Sequence, residues 1–155
     1  MLDNLIFDRT QNDVNYALQL RDAGVNVLGD LKGVYNISDR NRVGAAMEYV
    51  YGLLRGMAYY ISITAKTDWQ LTDFATPALN EQMRGGIERM KNTFVVFPDT
   101  PDIPATLDMI TFEDANALEK ILFDLETMAL LAARSFKPCG TFAAGQTSLL
   151  PRRVN

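Results

Sequence analysis

The chain has 155 residues, 48% of them apolar and 22% charged, with a net charge of −4. This is the make-up of one globular domain that buries about 68–70% of its unfolded surface with no metal or disulfide, and it argues against disorder and against binding a phosphate backbone. A single cysteine, Cys139, rules out an intrachain disulfide, and the lack of histidine removes Ser-His-Asp and Cys-His catalysis and the commonest zinc ligand.

Leu5-Ile6-Phe7 reads as a short, extended apolar lead-in. Thr10 then caps a first helix with Asp13 at the capping-box position, and Gly24 stops it after about Asp22. Its inward face is Val14, Ala17 and Leu18, and a helix this short must dock on something to persist. Residues 25–37 form a connector. Ser38 is the expected cap of a second helix over residues 39–58, with Val43, Ala46, Met47, Val50, Leu54 and Met57 as its stripe. Gly44, Gly52 and Gly56 fall near one face of it, where another backbone could approach.

Residues 61–66, I-S-I-T-A-K, alternate apolar and polar and are rich in β-branched side chains, which predicts one short half-buried strand. A lone strand needs a partner from elsewhere in the chain or from another subunit. The single tryptophan, Trp69, is read as a lid over one end of the core. Thr76-Pro77 opens a third helix with Leu79, Met83, Ile87, Met90 and Phe94 inward, and Gly85-Gly86 within it predicts close packing or a kink. P-D-T-P-D-I-P follows as a stiff connector.

The longest helix is expected over residues 111–136, roughly 39 Å at 1.5 Å per residue. Thr111 caps it with Asp114 at the box position, and Ala115, Leu118, Ile121, Leu122, Leu125, Met128, Ala129, Ala132 and Phe136 form its stripe. Phe123, Leu130 and Leu131 lie outside that stripe, so the helix must be covered on more than one side. The fold class is therefore mainly α. It is a bundle of three long helices with a short N-terminal helix and one short strand over residues 1–136, and an extended C-terminal arm over 137–155.

Chemistry is hard to find in this pattern. G-T-F-A-A-G lacks the Gly-Lys-Ser/Thr of a phosphate loop, and no stretch has the oxygen spacing of a calcium loop. Asp68 with Asp73 and Asp99 with Asp102 sit in loops with nothing to raise one pKa of either pair. Asp39 with Arg42 and Glu88 with Lys91 are spaced as surface pairs. No catalytic residue, metal ligand or cofactor is expected. No run approaches the ~20 apolar residues of a membrane span. The start, M-L-D-N-L-I-F-D-R-T, is acidic where a signal peptide is basic, so the expectation is synthesis in the cytoplasm without a signal peptide.

Several stretches together resemble one group of proteins. They are D-L-K-G-V-Y-N-I-S-D-R-N-R-V followed by M-E-Y-V, I-T-A-K-T-D-W-Q-L-T-D-F-A-T, F-P-D-T-P-D-I-P, F-E-D-A-N-A-L-E-K-I-L-F-D-L-E and the closing G-T-F-A-A-G. The group comprises small proteins encoded among the tail and baseplate genes of phages and prophages of Gram-positive, Clostridia-like bacteria, and the similarity runs over nearly the whole chain. It implies a virion tail component that assembles in the host cytoplasm, present in multiple copies or as a homo-oligomer. Its partners would be other tail or baseplate proteins, with no nucleic acid and no membrane. An assembly chaperone or adaptor outside the virion is the alternative, and a cell-wall enzyme the weaker third. The resemblance carries no functional residues. The apolar segments give the candidate interface: Ile61 and Ile63 of the strand, Phe123, Leu130 and Leu131 of the last helix, and Thr141, Phe142, Leu149 and Leu150 of the arm.

Overall fold

Helix signals are strongest where a capping side chain precedes an apolar stripe, and four helices form at those places. A computed structural model describes residues 2–25 and 31–135, and every structural statement here concerns those residues. The helices are α1 (Gln11–Asp22), α2 (Ile37–Gly56), α3 (Pro77–Thr93) and α4 (Phe112–Ser135). The protein is mainly helical.

Thr10 and Asp13 form the reciprocal cap of α1, Thr76 accepts the Leu79 amide above Pro77, and Thr111 and Asp114 exchange hydrogen bonds at the start of α4. The expected cap of α2 is corrected. Asn36, not Ser38, caps it, accepting from the Ser38 and Asp39 amides while the Asp39 carboxylate accepts from the Asn36 amide. Asn36 holds the extended backbone a cap requires, so the helix begins at Ile37 and Ser38 falls inside its first turn.

The three long helices run the same way. Arg42 of α2 meets Glu119 of α4, and one heptad further on Tyr49 meets Glu126. Arg40 of α2 bonds Asn80 of α3, Met47 lies against Gly86, and the rings of Tyr59 and Phe94 touch just beyond the two helix ends at 5.2 Å. Parallel helices need a return along the whole bundle between each pair, about 30 Å for the 20 residues of α2.

Residues 57–76 make the first return, and here the expected strand is not found. Residues 61–66 are extended and alternate as anticipated, with Ile61, Ile63 and Ala65 turned to the core and Ser62 and Thr64 outward. The stretch runs over helices and not beside another strand, so no ladder forms. Its Ser62 carbonyl accepts instead from the Arg89 guanidinium (2.9 Å). Two glycines allow this close approach. A Cβ on Gly44 would run into the Lys66 carbonyl oxygen, and one on Gly86 would lie 2.6 Å from Met47 Cε and close to Ile63. Of the glycine pair of α3, Gly86 packs against another element, whereas Gly85 faces the Glu81 and Arg89 side chains of its own helix, which is continuous through the pair.

Residues 94–111 make the second return. Lys91 donates to the Pro101 carbonyl (2.7 Å), Thr100 donates to Asp124 of α4 (2.7 Å), and Asn80 donates to the Leu107 carbonyl (3.2 Å). The N-terminal residues make a third extended strap, antiparallel to α4. The Leu2 amide donates to Glu126, the Ile6 amide to Glu119, and Arg9 exchanges backbone bonds with the Asn116 amide group. Val43, Met47, Val50, Leu54, Ile87, Met90, Leu118, Ile121, Leu122 and Leu125 fill the space between the three helices and are sealed from solvent.

Candidate interaction surface on α4

α4 is the helix the others enclose. Its apolar stripe, Ala115, Leu118, Ile121, Leu122, Leu125 and Ala129, is buried among α2, α3 and the returns. A second face carries Asn116, Glu119 and Glu126, which bind the strap. A third point, Asp124, is buried under Thr100 and paired with Lys120.

The strap face holds a buried charge network that the sequence reading did not find. Glu119, at 0% exposure, accepts from Arg9 Nη2 (2.7 Å), Arg42 Nη2 (2.9 Å), Arg42 Nε (3.0 Å) and the Ile6 amide (2.6 Å). Asp39 accepts from Arg9 Nη2 (2.8 Å) and pairs with Arg42. Two guanidiniums thus face two carboxylates, balanced in charge and joining strap, α2 and α4. Burial pulls the Arg42 guanidinium downward, but its bonds and charge contacts with Glu119 and Asp39 outweigh this and hold it above its ordinary value. Asp39 and Arg42 were expected as a surface pair. They do pair, but in the interior, because Arg9 and Glu119 arrive from distant parts of the chain. Glu88 pairs with Arg84 (3.3 Å), and Lys91 with Asp102 (3.3 Å).

The loop acids are ordinary. Asp68 and Asp73 both reach Lys66, at 2.8 and 3.2 Å. Asp68 is held low chiefly by its Lys66 hydrogen bond, and Asp73 by the Gln70 amide and then Lys66. Trp69 closes the end of the core where the three helices start. Arg40 and Lys66 lie 5.0 and 5.3 Å from its ring, and Asn41 bonds both its amide and its carbonyl. Among the described residues no cluster of acidic, cysteine or histidine side chains could hold a metal, and no helix is long and apolar enough to cross a membrane.

The candidate interface residues fall into three groups. Ile61 is 7% exposed and belongs to the core, and Ile63 packs half-buried against it. Phe123, Leu130 and Leu131 come together as the walls of a shallow groove of about 160 Å³ on the last turns of α4, with Glu126, Thr127 and Arg134. Phe7 of the strap closes the Phe123 end, its ring 5.2 Å away, while Leu131 stays 46% exposed. Thr141, Phe142, Leu149 and Leu150 lie outside the described residues. The chain was compared with protein-family models, with curated proteins and with solved structures, and no match was found.

Proposed function

We propose that this protein is a structural component of a bacteriophage tail or baseplate, joining copies of itself or other tail proteins through apolar surface. The observation that carries the reading is the α4 groove, where the most enclosed helix of the bundle keeps Leu131 46% exposed beside a half-buried Leu130. An exposed apolar groove with a polar rim suits a protein contact. The resemblance of the quoted stretches to tail-region proteins of phages supplies the context. The test is the protein content of purified particles from a phage or induced prophage that encodes the chain. A fixed number of copies per particle is expected. Absence from particles, with the protein recovered instead in a soluble complex with a tail protein, refutes the structural role in favour of an assembly chaperone.

A further inference from the structure

We infer that the groove on the last turns of α4 seats the C-terminal segment, residues 138–150, of a second copy of this chain; this rests on the assembly reading above. Among the described residues the strap reaches no further along α4 than Glu126, where Leu2 is bonded, so Leu130 and Leu131 lie beyond it.

The chain beyond the described residues begins at the groove's own edge, since α4 ends at Ser135, next to Arg134. From Pro138 to Pro151 that chain has no charged residue, and it carries Phe142, Leu149 and Leu150. Phe123 to Arg134 spans roughly 16 Å of helix, and Phe142 to Leu150 reaches about 26–29 Å when extended, so one segment can place both apolar anchors along the groove.

Charge sets its direction. Arg134 stands at one end of the groove; at the other, Glu126 is buried under the strap with both oxygens taken by the Leu2 amide, and the exposed acid there is Asp3 of the strap. Arg152-Arg153, just past Leu150, are favoured at the acidic end, so the segment runs antiparallel to α4. Six residues separate Ser135 from Phe142, so a segment seated antiparallel in its own groove would have to turn back within them. A neighbouring copy enters without that turn. Reciprocal exchange closes a two-fold pair, and one-way passage builds a row.

The test uses full-length protein in light scattering with circular dichroism. Wild type should show at least twice the 17.3 kDa of one chain, rising with concentration. Leu130→Asp/Leu131→Asp and Leu149→Asp/Leu150→Asp should each fall to one chain with the helical signal intact. Mixing the two in equal amounts should restore a pair, because one retains the segment and the other the groove. Should the groove variant unfold, Leu131→Asp alone replaces it. A wild type that stays at 17.3 kDa, a folded variant of wild-type mass, or a mixture that stays monomeric overturns the inference. Particle content tests the tail assignment separately: copies in particles with unchanged variant masses sink only the groove inference, and restored pairing with no copies in particles sinks only the tail role.

Discussion

Glu119→Gln isolates the buried charge network with almost no change in volume. In the wild type two guanidiniums and two carboxylates balance, and the substitution leaves Arg9 and Arg42 sharing Asp39 alone. Breaking a buried pair by removing one partner costs about 3–5 kcal/mol, most of it from the charge left behind. The amide nitrogen of Gln also brings a donor to a place where the Ile6 amide already donates. Total stability of a domain is about 5–15 kcal/mol, so the loss should be plain in urea unfolding followed by circular dichroism. Adding Arg9→Met restores the balance of one Arg with one carboxylate. The double variant should therefore lose less than the two single losses combined, with a coupling of about 1–3 kcal/mol. A Glu119→Gln loss under about 1 kcal/mol, or strict additivity, would show that water reaches the network and screens it.

Leu125→Ala, at a fully buried site between the helices, should lower stability by about 2–5 kcal/mol in the same assay. The glycines of α2 should behave oppositely: Gly44→Ala should cost about 1–3 kcal/mol as the 61–66 return is pushed away, whereas Gly52→Ala meets open space and should add about 0.5–1 kcal/mol. Ala58, which ends α2 with a left-handed backbone and its amide bonded to the Arg55 carbonyl, should gain about 1 kcal/mol on change to glycine. Asp68 and Asp73 titrate below the ordinary 3.8 and Lys66 above 10.5. Their pairing therefore adds stability between those values, and it is lost as pH falls through the lowered carboxylate pKa values or rises through that of Lys66. Asp73→Asn should shrink the fall in urea midpoint between pH 7 and pH 3.

Most of the apolar stripes and caps were legible because each depends on spacing within a single element, but Leu18 of α1, expected inward, is 41% exposed, and Phe136 lies outside the described residues. Leu118, Ile121, Leu122 and Leu125 are buried because they share a helical face, whatever lies opposite. The 61–66 stretch shows where such signals stop. Alternation reports that one side of an extended chain is buried, but it does not say what bonds the backbone, and here that is the Arg89 guanidinium. Asn36 and Ser38 are both good caps, and the sign in favour of Asn36 was Asp39 three residues on, the box partner of Asn36. Glu119 and Glu126, one heptad apart on α4, lie off its apolar stripe, and it is the strap and α2 placed against them that bury them. Nothing near position 119 announces Arg9, more than a hundred residues earlier.

The location of the α4 groove follows from the parallel arrangement. Three helices starting at one end bring like dipole ends together, and acidic Asp39, Glu113 and Asp114 in first turns and basic Arg55, Lys91 and Arg134 in last turns offset this. Each helix also needs an extended neighbour running backward, so cover is set by the length of these straps. The strap on α4 reaches Glu126, and α4 continues to Ser135. The surplus turns carry the half-buried Leu130 and the exposed Leu131. If the assembly proposed above uses these turns, Leu131→Asp should disturb association far more than it disturbs the melting temperature, because Leu131 is 46% exposed.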